Sequence, residues 1–223
     1  MIRRALAEFV GSGLLAALVI GSGIAAQRLS PNDTGLQLFE NAFATALGLP
    51  VLILIFATVS GSHFNPVVSL VDAGLGNRPW RDVALYIPAQ IVGCLAGAIL
   101  ANLMFGDPAV TISTTDRLTW PHALSEVVAT AGLVVVIFAL ARTGRLAVIP
   151  WAVGAYIGAA YFFTSSSSFA NPAITIGRTI SDSFAGIAPA SAPGFIAAQL
   201  VGGLLGFVAV RYFFPAAAPS PAG

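Results

Sequence analysis

Six apolar stretches long enough to cross a lipid bilayer, and two of about half that length, leave this chain few possible folds. A helix rises about 1.5 Å per residue, so about 20 residues cross the ~30 Å of bilayer hydrocarbon. The long stretches lie at about 4–26, 38–59, 82–105, 122–142, 146–163 and 193–213. The short ones, at about 65–74 and 171–182, reach only about 15 Å. Charged residues make up 9% of the 223 residues, against about 25% in a soluble domain. Too few polar side chains remain to coat a water-soluble core of this size. The expected fold is therefore an all-α integral membrane bundle of six transmembrane helices plus two half-helices. Arg3 and Arg4 ahead of the first run resemble a leader, but Glu8 within it and the spans that follow mark a retained helix.

The chain repeats itself. Ala7-Glu8-Phe9-Val10 is echoed by Ser125-Glu126-Val127-Val128, and the run from Pro88 to Gly97 by that from Ala197 to Gly206. Ser62-His63-Phe64-Asn65-Pro66-Val67 is echoed by Ser168-Phe169-Ala170-Asn171-Pro172-Ala173, with all pairs in the same order. Each half has an odd number of full spans, so the second begins on the opposite side of the membrane and the repeat is inverted. Short interrupted segments at matching positions in such halves point to the functional site. One domain is expected over 1–214 (repeat 1 about 4–105, repeat 2 about 120–213), followed by a disordered Pro/Ala-rich tail at 215–223.

Placing both termini in the cytoplasm puts Arg3, Arg4, Arg78, Arg81, Arg142, Arg145 and Arg211 inside and only Arg28, Arg117 and Arg178 outside. That bias follows the positive-inside rule and predicts a multi-pass protein of the inner (cytoplasmic) membrane. The net charge of +1 and the lack of a basic patch give no reason to expect a nucleic-acid partner. Two His, the single Cys94 and no nucleophile–base constellation offer little for metal, cofactor or enzyme chemistry. No cofactor is expected.

Asn-Pro alone commonly marks a turn. Here it opens both short segments, where Asn is a favoured N-cap and Pro a favoured first helical residue. Each motif can start a half-helix inside the membrane, where irregular backbone is tolerable only against protein or a watery cavity. If each Asn oxygen caps its own half-helix, its NH₂ group is left as a donor to the lumen. Paired donors orient a passing water so that it cannot relay a proton, and the positive half-helix ends repel cations. Asn65 and Asn171 are the expected pore-lining donors. Glu8 and Glu126 are ionisable residues within spans, which suggests either an ion relay or acceptors that brace the backbone entering each half-helix. Their symmetry in the repeat favours bracing, and His63 is grouped with them.

Gly61-Ser62-His63-Phe64-Asn65-Pro66-Val67 resembles the first signature of the aquaporin, or major intrinsic protein, family, and Asn171-Pro172-Ala173 its second. The resemblance extends over about residues 3–213. It implies two half-helices meeting at the midplane, one pore per subunit and a homotetramer in the lipid bilayer. In most of the family an Arg follows the second Asn-Pro-Ala and narrows the outer pore; here Ile174 stands there, and Thr175 replaces the Asp that marks glycerol channels. By spacing, the other constriction positions fall at Ala159, at Ser168, and at Thr45 or Leu47. Such a filter is wider and less polar than that of a strict water channel. It suggests a passive channel for small neutral solutes such as glycerol, urea or metalloid acids, with water, similar in pattern to bacterial members associated with arsenic resistance. A strict water channel and a secondary transporter are the alternatives. Arg178, one turn beyond Ile174, either places a positive charge at the outer mouth that tolerates anionic solutes or forms an exposed ion pair with Asp182, four residues on; the pair is the expectation.

Overall fold

A computed structural model describes residues 1–215; the tail predicted at 215–223 lies outside them apart from Pro215. The full-length helices are α1 (Ile2–Leu29), α2 (Thr34–Phe56), α4 (Trp80–Met104), α5 (Trp120–Arg142), α6 (Ile149–Phe163) and α8 (Ala192–Phe213). The half-helices are α3 (Pro66–Gly74) and α7 (Pro172–Gly177). Six spans are long and apolar enough to cross a membrane, α6 with the 3₁₀ turn Leu146–Val148 that precedes it.

The expected spans survive with shifted ends. α2 starts at Thr34 rather than near 38 because the Asp33 side chain accepts from Leu36 N at 2.9 Å, a cap that a hydropathy reading misses. The second short segment is helical only to Gly177 before tightening into a 3₁₀ turn, Arg178–Ile180.

Large apolar side chains such as Phe39, Phe43, Leu54, Val92 and Leu204 face outward, while Glu8, Asn41, Gln90, Glu126 and Gln199 are wholly buried. That distribution suits a chain whose outer solvent is lipid and whose buried polar groups pair inside. The two halves pack alike: α1 lies along α4 and α5 along α8. These crossings are close because small residues face them. A side chain at Gly97 would strike the Gly13 carbonyl of α1, and one at Gly206 would strike Val134 and the Ala131 carbonyl of α5. In the repeat register Gly97 corresponds to Gly206, so one packing device is used twice.

Candidate functional site

α3 and α7 meet by their N-terminal ends. Asn65 and Asn171 are extended N-caps (φ −151° and −156°), and Pro66 and Pro172 occupy the first turns. Asn65 Oδ1 accepts from Val67 N at 2.9 Å, and Asn171 Oδ1 from Ala173 N at 2.9 Å and Ile174 N at 3.3 Å. Each amide then reaches across the repeat. Asn65 Nδ2 donates to the Ala170 carbonyl and Asn171 Nδ2 to the Phe64 carbonyl, both at 2.7 Å. An NH₂ group has two hydrogens, so this reciprocal clasp leaves one on each Asn for the lumen. Spacing could not show the clasp, which joins residues more than a hundred positions apart.

The backbone entering each cap is contorted. Ser62, Phe64, Ser167, Ser168 and Ala170 have φ between 47° and 57°, and Gly61 has φ 92°. A non-glycine residue in that region costs on the order of 1–3 kcal/mol, so the surroundings must hold it. They do so twice, with matching parts. Glu8 accepts from Ser60 Oγ (2.6 Å), His63 N (3.0 Å), Phe64 N (2.7 Å) and Gln90 Nε2 (2.7 Å). Glu126 accepts from Ser166 Oγ (2.6 Å), Phe169 N (2.9 Å), Ala170 N (2.9 Å) and Gln199 Nε2 (2.7 Å). Gln90 also donates to Ser69 Oγ, and Gln199 to Thr175 Oγ1, each at 2.9 Å. Those hydroxyls bond in turn to the Asn65 and Asn171 carbonyls. Every carboxylate oxygen is engaged by the brace, and a proton relay would have to break it.

A cavity of about 290 Å³ runs past both caps, from Asp72 and Arg78 at one end to Thr45, Tyr161 and Arg178 at the other. Between these ends its wall is largely aliphatic, including Leu15, Val19, Leu49, Val68, Leu133, Ile137, Val153, Ile157 and Ile174. Asn65 and Asn171 both border it. Pro66, Val67, Pro172 and Ala173 are buried behind the caps.

The positions named for the constriction divide. Thr45, Ser168 and Ile174 line the cavity. Leu47 does not; it is 54% exposed on the outer face of α2, so of the two α2 candidates Thr45 is the one that meets the lumen. Ala159 is exposed on the outer face of α6, and Ile157 and Tyr161 line the lumen instead. Both departures follow from the helical period. Residues four apart share a face, whereas a position two away points to the other side. Tyr161 could have been found by that periodicity; its hydroxyl lies 3.2 Å from Thr45 Oγ1.

Arg178 is not an exposed partner of Asp182. It is 2% exposed, its guanidinium carbon lies 3.3 Å from the Phe169 ring centroid, and its Nε donates to the Ala185 carbonyl. Asp182 instead accepts from Thr114 N (2.9 Å) and Thr114 Oγ1 (3.2 Å). The 181–188 loop folds back on Arg178, whose carbonyl accepts from Ile187 N, so sequence spacing within one helix stops being a guide there.

At the opposite mouth, His63 sits in a polar network. Its Nδ1 is 3.0 Å from Ser69 Oγ and its Nε2 is 3.2 Å from Asp72 Oδ2, which also receives Arg78 Nε at 3.0 Å. Arg78 and Tyr86 both donate to the Ser60 carbonyl, at 2.9 and 2.8 Å. His63 thus braces the loop and borders the lumen, and no group of three or more His, Cys, Asp or Glu among the described residues could hold a metal.

Two inverted repeats whose capped half-helices meet beside a shared cavity define a passive membrane channel. The chain belongs to the major intrinsic protein family, whose profile matches residues 1–167. It is 46% identical over 217 residues to the aquaglyceroporin AqpS of Rhizobium meliloti (strain 1021), a match covering 97% of this chain and 92% of that one. It is 31% identical over 147 residues to the glycerol uptake facilitator protein of Bacillus subtilis (strain 168), covering 60% and 53% of the two chains. The solved structure of the aquaglyceroporin from Plasmodium falciparum superposes with a TM-score of 0.68 at 18% identity, covering 94% and 95%, and so shares the fold.

Proposed function

We propose that this channel conducts small neutral solutes of glycerol or urea size, including undissociated metalloid acids, with water as a co-permeant. The observation that carries the reading is Ile174. The position directly after the second Asn-Pro-Ala offers an aliphatic wall to a cavity that continues past both caps. A polyol can set its carbon edge against Ile174, Ile157 and Val153 and its hydroxyls toward Asn65, Asn171, Thr45 and Tyr161. An aquaglyceroporin and a glycerol facilitator among the relatives support the same solute class. Asn65 and Asn171 act as the lumen donors that interrupt a proton-conducting water file. The subunits assemble as a homotetramer in an inner membrane, with both termini on the cytoplasmic, Arg-rich side.

The test is stopped-flow light scattering on proteoliposomes, comparing glycerol, urea, arsenous acid and water with empty liposomes. Solute entry well above the empty control, with no dissipation of an imposed pH gradient, is the expected result. Water flow without solute entry overturns the solute class, and proton leakage overturns the role given to the two Asn residues.

A further inference from the structure

At the outer end of the cavity, two buried polar side chains lack the partners that such groups usually have. Arg178 is 2% exposed, yet only its Nε has a protein acceptor, and among the described residues no carboxylate lies within ion-pair distance. Its terminal nitrogens have no hydrogen-bond partner among those residues, and the side chain borders the lumen. Ser168, also on the lumen, has a buried hydroxyl with no partner. The Tyr161 hydroxyl, linked to Thr45, completes the polar part of this wall.

No carboxylate among the described residues pairs directly with this charge; Glu126, held in its own brace, acts on it only at longer range. Arg117 lies against the same Phe169 ring, 5.6 Å from its centroid, and its Nε and Nη2 go to the Gly186 and Phe184 carbonyls. Two guanidinium groups therefore flank one aromatic ring. The neighbouring carboxylates are turned elsewhere, Asp182 to Thr114 and Asp116 to Ser191 Oγ and Leu118 N. Those bonds hold the Asp116 carboxyl below the usual range, so it stays charged in its own loop. With only its Nε engaged, the guanidinium keeps its terminal donors for a ligand in the lumen that it borders. A guanidinium presents a planar fork of donors that fits two oxygens of one anion.

We propose that Arg178, Ser168 and Tyr161 form an outer-vestibule site for small monovalent oxyanions. The fork of Arg178 takes two oxygens, Ser168 donates to a third, and Ile174 meets the apolar end of the ligand. Past this point the lumen wall is largely aliphatic as far as the two Asn caps, and a bare charge would lose its partners there. An oxyanion therefore occupies the site and obstructs neutral solutes instead of passing through. This mode of inhibition rests on the neutral-solute reading above; the binding site itself does not.

Methanesulfonate is a suitable probe, being fully ionised, small, and bearing three oxygens and one methyl group. With sodium methanesulfonate on both sides of the proteoliposome membrane, glycerol entry is compared with that in sodium chloride of equal concentration. The expected result is a slowing of about twofold or more near 50 mM, as for a Kd in the tens of millimolar. Each variant is judged by its own methanesulfonate-to-chloride ratio. Arg178→Gln abolishes the difference, Arg178→Lys keeps part of it, and Ser168→Ala weakens it. In parallel, the unfolding midpoint of the purified channel rises in methanesulfonate relative to chloride, a readout that needs no permeant and no variant. Equal midpoints in the two salts overturn the site, as does an anion-specific slowing that persists in Arg178→Gln. No glycerol entry in either salt, alongside a raised midpoint, overturns the solute reading and leaves the site standing.

Discussion

The two vestibules occupy equivalent places in the repeat and are built in opposite ways. Seven residues after each cap Asn stands a charged residue, Asp72 in the first half and Arg178 in the second. Asp72 is satisfied by His63 and Arg78, with Asn77 Nδ2 donating at 3.0 Å, and its network ties the loop to α4 through Tyr86. In the second half the aromatic residues Phe169 and Phe195 replace His63 and Tyr86 and pack edge to face, 5.1 Å between centroids. Arg178 lies on Phe169 with no counter-ion among the described residues. Nearer the midplane, the Glu8 and Glu126 braces and the Asn clasp are built alike in both halves. The channel thus keeps symmetry around the paired caps and gives it up at the two mouths.

The strongest test of the symmetric part is removal of either brace. Glu8→Ala and Glu126→Ala each strand two backbone N–H groups, a serine hydroxyl and a glutamine amide. Losses of about 3 kcal/mol or more are expected, with similar falls in unfolding midpoint and solute flux. A large loss in one half and none in the other would break the equivalence. Next in size is Asp72→Ala, which leaves Arg78 and His63 without their carboxylate and costs about 2–3 kcal/mol, less than a fully buried pair because Arg78 keeps Asp82 nearby. Chemical denaturation should show this loss, whereas Arg178→Gln should move anion sensitivity far more than stability. The reverse pattern would invert the roles given to the two vestibules. Gly97→Ala and Gly206→Ala force α1 from α4 and α5 from α8, each by about 1–3 kcal/mol in the same assay. The smallest effect belongs to Arg28→Gln. It removes an exposed pair with Asp107 (2.7 Å, side chains 48% and 38% exposed), worth about 1 kcal/mol or less in a thermal melt.

Much of this was legible in the residues themselves. Hydropathy located the six spans and both half-helices, since lipid demands long apolar runs and a half-length run has few other uses. The echo of Glu8 in Glu126 pointed to a brace, although only the fold shows that Gln90 and Gln199 join each carboxylate to a half-helix hydroxyl. The lumen wall was harder. Ala159 and Leu47 came from counting between motifs, and a slip of two residues in a helix exchanges lumen for lipid. Tyr161, which reaches the lumen from α6 with Ile157, leaves no mark in composition or motif. Arg178 does line the cavity, but its expected ion pair with Asp182 assumed a continuing helix. The chain leaves the α-helix at Gly177, which carries Asp182 away to Thr114.

The central claim is that the aliphatic residue after the second Asn-Pro-Ala opens the pore to solutes. Ile174→Arg restores a guanidinium at that point of the wall, and stopped-flow measurement of glycerol and water permeability in one proteoliposome preparation reads both consequences. Glycerol entry should fall at least about tenfold, a barrier increase of about 1.4 kcal/mol, while water flow changes much less. Undiminished glycerol entry in a well-folded Ile174→Arg channel would contradict the account.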